Sequence, residues 1–234
     1  MFLKIVQLQN EELDRLLGGG IPFPSFILIQ GEYGSGKTIF LSQILNGLLK
    51  NDYFITYFST QTTAKEYLTK MKQLGLDFMN AFIRKHLYFI TIHVKEGKWS
   101  EASIKILLNF LRDTIDRLKN LYNVFVVDSI DIFIEYSKEI DLIEFLTFCK
   151  TQVPLGKSFI LTMSKEVGEE LSSELKKQSD VYFILSNKDL GGKAVKLLQV
   201  VKMNGAIEPY QNQIALEIEP NFGLRVVPYS FTGV

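Results

Sequence analysis

The sequence has few of the residues that form covalent or metal cross-links. Its 234 residues include one cysteine, Cys149, and two histidines, His86 and His93. A single thiol excludes an intrachain disulfide and is typical of proteins in a reducing compartment. Because a structural zinc site needs four ligands, mostly cysteine and histidine, this set does not predict one. The segment LIEFLTFCK instead places Cys149 as a small residue on a buried helix face.

The sequence also lacks an excess charge of either sign and a long apolar run. Lysine plus arginine and aspartate plus glutamate each total 26, so no overall field favours nucleic acid or an anionic membrane. No apolar run approaches the roughly 18 residues needed to span a bilayer. Polar residues interrupt the amino-terminal segment MFLKIVQLQNEELD, which is not typical of a signal peptide. We therefore expect a cytoplasmic protein that binds no nucleic acid and meets a membrane only through partners.

Short apolar segments alternate with longer amphipathic ones. Several of the short segments are rich in β-branched and aromatic residues, as in strands that helices cover on both faces. The predicted strands are SFILIQ (25–30), YFITYFST (53–60), LYFITIHV (87–94), NVFVVDS (123–129), KSFILTMS (157–164), VYFILS (181–186) and VKLLQVVKM (195–203). Alternation with helices predicts an α/β fold with a mostly parallel sheet. After residue 180, the turn signals NKDLGG and PNFG predict antiparallel hairpins. Because no linker-like stretch interrupts the pattern, we expect one domain over residues 1–234.

The segment GEYGSGKT matches the phosphate-binding pattern G-x-x-x-x-G-K-[ST]. It follows the predicted strand SFILIQ and opens the amphipathic segment TIFLSQILNGLLK, which is the arrangement that the mechanism requires. Backbone N–H groups of such a loop surround phosphates, and the helix N-terminus adds partial positive charge. Lys37 is expected to reach the β- and γ-phosphates, and the Thr38 hydroxyl to bind Mg²⁺. The predicted nucleotide-binding residues are Gly31, Glu32, Tyr33, Gly34, Ser35, Gly36, Lys37 and Thr38.

A second magnesium-binding residue is expected at the end of NVFVVDSID. Apolar residues there lead into Asp128, whose carboxylate is expected to hold Mg²⁺ through water. Asp131 is an alternative, although Ser129 and Ile130 separate it from the strand. In the next strand, the Thr162 and Ser164 hydroxyls are candidate sensors of the γ-phosphate, and the other interpretation is that nearby backbone satisfies both hydroxyls.

The segments LLGGGIP, GEYGSGKT and FVVDSID together resemble the RecA superfamily, and specifically its KaiC-like branch. The segment VVKMNGA and the hairpin IALEIEPNFGLRVVPYS are similar to the flagellar accessory protein H family of archaea. The resemblance runs from about Leu13 to Ser230 and implies a RecA-like P-loop NTPase core that binds ATP and Mg²⁺. It further implies a ring, expected to be a hexamer, at the base of the archaellum. The implied partners are the secretion-type motor ATPase, the membrane platform protein and, in some lineages, a scaffold ring.

Two departures from the family pattern bear on the chemistry. RecA-like ATPases carry a glutamate general base after the second strand of the core, and Thr60 and Gln61 stand there in this chain. An amide can orient a water molecule but cannot accept its proton. KaiC-like rings commonly present Lys-x-Arg to the neighbouring subunit's γ-phosphate, and this chain has Lys202, Met203 and Asn204 instead. The resemblance with these departures implies that Mg-ATP serves as an assembly or switch ligand with very slow or no hydrolysis.

Several alternatives stay open at the level of sequence. One is a DNA-repair paralogue of the recombinases, which would bind single-stranded DNA through a basic, aromatic groove. Another is an active ATPase or autokinase in which Glu66, Asp131 or a water chain removes the proton. A structural protein that has lost its nucleotide is a third, which the presence of Lys37 and Asp128 disfavours. Lys202 is equally open between a group that contacts the next protomer and a solvated lysine at a strand end.

Overall fold

The computed structural model describes residues 3–92, 99–165, 169–190 and 192–228. His93, the last residues of the predicted strand LYFITIHV and Ser230 therefore lie outside the described residues. The strands are β1 (Lys4–Val6), β2 (Ile21–Phe23), β3 (Phe26–Gly31), β4 (Ile55–Ser59), β5 (Leu87–Thr91), β6 (Val124–Asp128), β7 (Ser158–Ser164), β8 (Val181–Leu190), β9 (Lys193–Met203), β10 (Gln213–Glu219) and β11 (Gly223–Val226).

Helices connect most of the strands. They are α1 (Glu11–Leu16), α2 (Lys37–Lys50), α3 (Ala64–Gln73), α4 (Met79–Ile83), α5 (Glu101–Leu118), α6 (Asp131–Tyr136), α7 (Glu139–Gln152) and α8 (Glu169–Gln178), with a 3₁₀ turn at Val153–Leu155. Side-chain hydrogen bonds cap the first residues of several helices. The Asn10 side chain accepts from the Leu13 N–H at the start of α1, and Thr63 and Ser100 form reciprocal capping boxes at the starts of α3 and α5. Among the described helices, none is both long and apolar enough to cross a bilayer.

The main sheet confirms the predicted mixture of parallel and antiparallel strands. Within the described residues it runs β11-β10-β9-β8-β3-β7-β6-β4-β5. The strands from β8 to β5 in this order pair in parallel, whereas β9, β10 and β11 pair antiparallel as successive hairpins. The short strands β1 and β2 form a separate antiparallel pair.

Both faces of the sheet are buried. In β3, Ile27 and Ile29 join one hydrophobic cluster with side chains from α1 to α4, and Phe26 and Leu28 join a second cluster with side chains from α5 to α8. Cys149 is fully buried in α7, as its setting predicts. Because helices cover both faces, functional side chains can gather only where the strands begin or end. We call these two sides of the sheet its amino edge and its carboxyl edge.

The carboxyl ends of the parallel strands meet at one edge. Gly31 pairs with Ser164 in the register of β3 and β7, and Ser59 pairs with Asp128 in that of β4 and β6. Parallel pairing therefore collects the phosphate-loop segment and the residues that end β4, β6 and β7 on the same side of the molecule.

Candidate functional site

The loop of residues 31–38 leaves the end of β3 and enters α2. Gly34 and Gly36 have φ angles of 70° and 92°, a region that glycine adopts without the strain of a side chain. A Cβ atom on Gly31 would lie 2.5 Å from the Leu185 carbonyl oxygen and 2.6 Å from Ser35 Oγ. Only glycine fits at this position, because the backbone of β8 and the loop's own serine fill the space.

The inner side of the loop suits a phosphate group. Ser35 is buried, and its hydroxyl has no hydrogen-bond partner among the described residues. Buried hydroxyl groups are normally satisfied, and a phosphate oxygen would supply the missing partner. The outer side of the loop faces solvent. Tyr33 is 94% exposed there, and Glu32 forms an ion pair with Lys165 at 3.4 Å. The Asn187 N–H, followed by Lys165, lowers the pKa of Glu32.

Lys37 extends back over this loop. Its Nζ donates to the carbonyl oxygens of Gly31 at 2.6 Å and Glu32 at 3.0 Å. Lys196, from β9, donates to the Gly34 carbonyl at 2.8 Å and to Asn187 Oδ1 at 2.6 Å. Among the described residues, Lys37 and Lys196 therefore both donate to carbonyl oxygens of the loop, and only Lys37 could be predicted from the local pattern.

Thr38 and Asp128 meet at the start of α2. Thr38 Oγ1 lies 3.2 Å from Asp128 Oδ2, and Asp128 is only 2% exposed. Two further hydroxyls donate to this carboxylate, Tyr57 to Oδ2 and Thr162 to Oδ1, each at 2.5 Å. A hydroxyl and a carboxylate are ligands that Mg²⁺ prefers, so this pair could hold the ion. The Thr162 hydroxyl is directed at Asp128, and its role as a phosphate sensor stays a prediction.

Two buried tyrosines support this pair from behind. Ser42 Oγ donates to the Thr38 carbonyl at 2.6 Å and lies 2.8 Å from the Tyr67 hydroxyl. The Tyr57 and Tyr67 rings pack with centroids 4.9 Å apart. Burial, and next the charge of Asp128, raises the pKa of Tyr57 well above its usual range, and burial also raises that of Tyr67. Both hydroxyls therefore stay protonated, which keeps Tyr57 a donor to Asp128.

Gln61 lies at the same edge, beyond the end of β4. Its Nε2 donates to Ser129 Oγ at 3.1 Å, and Ser129 Oγ donates to Asp131 Oδ2 at 3.0 Å. Glu66 is in the first turn of α3, where its carboxylate accepts from the Thr63 N–H at 2.9 Å. Gln61 is thus next to the residue that follows Asp128, while Glu66 is engaged in capping its own helix.

Lys202 lies at the opposite edge of the sheet. It pairs with Tyr182 near the start of β8, and its Nζ donates to the carbonyl oxygens of Ser179 and Lys177 at 2.5 and 3.4 Å. It is half-buried rather than solvated. Because Lys196 contacts the loop and Lys202 is six residues further along β9, about 20 Å separate Lys202 from its own phosphate loop.

Comparison with known proteins identifies this arrangement. The family described as "ATPase: KaiC" matches residues 6–230. The archaeal flagellar ATP-binding protein FlaH of Sulfolobus acidocaldarius is 34% identical over 97% of this chain and 99% of that protein. The crystal structure of flagellar accessory protein FlaH from Methanocaldococcus jannaschii matches with a TM-score of 0.85 at 26% identity, covering 97% of this chain and 100% of that one.

A third relative shares only part of the chain. The DNA repair and recombination protein RadB of Thermococcus sibiricus is 34% identical over 119 residues, which cover 49% of this chain and 50% of that protein. The two FlaH matches, in contrast, extend over nearly the full length and confirm the expected RecA-like fold. The chain therefore belongs to the KaiC family of ATPases, in the group of the archaeal flagellar ATP-binding proteins FlaH.

Proposed function

We propose that this chain is an ATP-binding component of the archaellum motor in which Mg-ATP is an assembly or switch ligand and is hydrolysed very slowly. The observation that carries the proposal is a contrast at one sheet edge. Lys37, Thr38 and Asp128, which would bind Mg-ATP, lie there, whereas Gln61 stands where the resemblance to RecA-like ATPases implies a carboxylate. The names of the similar proteins, an archaeal flagellar ATP-binding protein and a flagellar accessory protein, support the setting.

Different groups of the site would bind different parts of Mg-ATP. The N–H groups at the start of α2 and the Lys37 ammonium would hold the β- and γ-phosphates. Thr38 Oγ1 would ligate Mg²⁺ directly and Asp128 would hold it through water. Bound Mg²⁺ supplies charge neutralisation for the phosphates. Tyr57 and Thr162 hold the Asp128 carboxylate in place for this task.

Slow hydrolysis is inferred from the state of the nearby acids. The Gln61 amide cannot accept a proton, and the Glu66 carboxylate caps α3. Asp131 accepts hydrogen bonds from the Ser164 N–H and hydroxyl, both at 2.8 Å, in addition to Ser129. Loss of a general base typically reduces the rate by about 10²- to 10⁴-fold, which is enough to turn a slow ATPase into a nucleotide holder.

Ring formation and partners are part of the proposal. Lys202 is too far from its own loop to touch a bound nucleotide, so any contact with a γ-phosphate would be made with a neighbouring protomer. We infer a homo-oligomeric ring, expected to be a hexamer, in which residues 1–234 act as one ATP-binding domain. The partners would be the secretion-type motor ATPase and the membrane platform protein, which would hold a cytoplasmic ring at the membrane.

The test measures phosphate release from Mg-ATP together with the nucleotide retained after desalting. We expect ATP to be retained and release to stay far below the ordinary enzyme range of about 1 to 10³ s⁻¹. Lys37→Ala is expected to abolish retention, because the ammonium that lies in the loop is lost. Lys50→Ala, at the exposed other end of α2, is the matched control and should retain ATP like the wild type. Turnover of about 1 s⁻¹ or faster that Lys37→Ala removes would contradict the proposal.

The alternatives would show in neighbouring measurements. Autokinase activity would leave label from γ-phosphate on the denatured chain. A DNA-binding function would show as salt-sensitive retention of single-stranded DNA on a filter at low ionic strength. We expect neither, since the two FlaH proteins match 97% of the chain, whereas the DNA-repair relative shares only half of it.

A further inference from the structure

A hydrogen-bonded chain of three side chains crosses the ends of β4 and β6. Gln61 Nε2 lies 3.1 Å from Ser129 Oγ, which lies 3.0 Å from Asp131 Oδ2. Asp131 Oδ1 accepts from the Ser164 N–H, and Oδ2 accepts from the Ser164 hydroxyl, both at 2.8 Å. The end of β7 therefore fixes the Asp131 carboxylate, and that carboxylate fixes Ser129.

The chemistry of the three groups gives this chain a direction. A carboxylate has only acceptor atoms, a hydroxyl has one proton, and an amide has a donor nitrogen and an acceptor oxygen. Because the Asp131 carboxylate can only accept, the Ser129 hydroxyl donates its hydrogen bond to Asp131. Only the lone pairs of Ser129 Oγ are then available to Gln61. Gln61 consequently turns its nitrogen towards Ser129 and its carbonyl oxygen away from it.

We propose that Asp131 is a positioning residue that acts through Ser129 to make Gln61 present its carbonyl oxygen at the nucleotide edge. This inference rests on the proposed function, which puts the nucleotide at that edge. The backbone of the segment is held independently, since the N–H groups of Gln61 and Thr62 donate to Ser59 Oγ at 3.3 and 3.0 Å. The orientation of the amide is therefore the feature that Asp131 decides.

The orientation determines what Gln61 can contact. A carbonyl oxygen accepts a hydrogen bond from a water molecule, but it cannot donate to an oxygen of the γ-phosphate. With the opposite orientation, the amide nitrogen would donate to the phosphate, and it could not accept a hydrogen bond from a water molecule. Asp131 thus selects a water-orienting Gln61 over a phosphate-binding one, while the proton of that water still has no strong acceptor.

Replacing Asp131 by asparagine should reverse the chain. The Ser164 N–H lies 2.8 Å from Asp131 Oδ1, so it would keep the oxygen of the introduced amide on that side. The new nitrogen would then face Ser129 and donate to it. Ser129 would donate in turn to the Gln61 carbonyl, and the Gln61 amide would rotate.

The direct test is the exchange with water of the Gln61 side-chain amide protons, followed by NMR in nucleotide-free protein. The resonances are assigned by their loss in Gln61→Ala. We expect one proton to be protected in the wild type, and that protection to be lost in Ser129→Ala and in Asp131→Asn. Glu135→Gln, which removes an exposed carboxylate from the same helix, is the control and should keep the protection. Protection that persists in Asp131→Asn would overturn the inference.

A second test uses hydrolysis. Gln61→Glu alone would leave two carboxylates competing for the single hydroxyl donor of Ser129, so their repulsion should turn the introduced carboxylate away from the position of the Gln61 side chain. Adding Asp131→Asn lets Ser129 donate to the introduced carboxylate, and the double variant should hydrolyse ATP at least about tenfold faster than Gln61→Glu. Asp131→Ser, which also supplies a donor, replaces Asp131→Asn if that variant does not fold. The Glu135→Gln control should add nothing to Gln61→Glu.

ATP retention and the hydrolysis rates of the Gln61 variants distinguish the proposed function from the role of Asp131. A wild-type protein that retains no ATP after desalting would contradict the proposed function. The amide exchange would still test the hydrogen bonds between Gln61, Ser129 and Asp131. Retained ATP together with a Gln61→Glu variant as fast as the double variant would overturn the role of Asp131 and leave the proposed function intact.

Discussion

Asp128 shows how single hydroxyl groups shape this site. Its two carboxylate oxygens receive three hydroxyl donors, from Tyr57 in β4, Thr162 in β7 and Thr38 in α2. The carboxylate is nearly inaccessible to solvent, so these bonds replace the water that would otherwise solvate its charge. Thr38 is also a proposed ligand of Mg²⁺, and metal binding would exchange its bond to Asp128 for a bond to the ion. Tyr57 and Thr162 would then keep Asp128 in position.

Tyr57→Phe tests the positioning of Asp128 without changing the packing. The ring stays stacked on Phe89, with centroids 4.7 Å apart, and only the hydroxyl is lost. We expect unfolding free energy to fall by about 1 kcal/mol and the Mg²⁺ concentration for half-maximal ATP retention to rise by about fivefold. Denaturant unfolding and an Mg²⁺ titration measure the two effects. Tyr88→Phe, on the exposed edge strand β5, is the control, and an unchanged Mg²⁺ midpoint in Tyr57→Phe would refute the role.

Sequence reasoning could find Thr38 and Asp128 but not Tyr57, Ser42 or Lys196. The first two belong to local patterns whose chemistry depends on neighbours in the chain. Tyr57 reaches Asp128 because β4 and β6 pair with Ser59 opposite Asp128, and that register is a property of the assembled sheet. A weak signal exists: Tyr57 and Ser59 are two residues apart in β4, so their hydroxyl-bearing side chains lie on the same face of the strand.

At the scale of elements, long apolar segments were predictable and short ones were not. All seven predicted strands have counterparts in the sheet, and the predicted terminal hairpin is present as β10 and β11. The prediction for β8 stopped at residue 186, but pairing with β9 extends the strand to Leu190, opposite Lys193. The strands β1 and β2 have three residues each, too few to show a period, and they form only because they pair with each other.

Gly47 shows that tertiary packing can outweigh helix propensity within α2. Alanine in a helix interior is favoured over glycine by about 1 kcal/mol. A Cβ on Gly47, however, would lie 2.2 Å from the Gln7 carbonyl oxygen and 2.8 Å from Leu8 Cα. Both are backbone atoms of the amino-terminal segment that covers the helix, so the contact can be relieved only by moving that segment.

Gly47→Ala is therefore expected to destabilise the protein by about 1–3 kcal/mol despite its better helix propensity. Asn46→Ala, one position earlier in α2, is the control for propensity alone and should change stability by less than about 1 kcal/mol. Denaturant unfolding of both variants gives the comparison. A Gly47→Ala protein as stable as the wild type would show that the amino-terminal segment yields without cost.

At the scale of the whole molecule, the phosphate loop and Lys202 lie at opposite ends of the parallel strands, so one chain cannot bring both to the same nucleotide. The phosphate loop lies at the carboxyl edge of the parallel strands, and Lys202 lies at their amino edge. In a ring, the amino edge of one protomer can face the carboxyl edge of the next. A ligand that binds only the assembled state stabilises it by about 3–4 kcal/mol at 100 to 1,000 times its Kd, so ATP could control assembly without being consumed.

Lys202→Met tests whether this lysine contributes to assembly across such an interface. Light scattering should show that Mg-ATP increases the mass of the wild-type particle, and that Lys202→Met requires about tenfold more protein for the same increase, as expected when one charged contact is lost. Binding of ATP to the single chain should be unaffected because Lys202 is about 20 Å from its own loop. Lys193→Met is the control. It removes an exposed lysine from β9, the strand of Lys202, and this lysine forms an ion pair with Glu217 of β10.

Lys202 also donates to the carbonyl oxygens of Ser179 and Lys177 within its own chain, so a loss of assembly could come from a loosened α8. Unfolding measurements separate the two causes. A variant that loses assembly at unchanged unfolding free energy places the Lys202 charge in the interface. A variant that assembles like the wild type would mean that Lys202 serves only the end of α8, and that another group must bring the neighbouring protomer to the γ-phosphate.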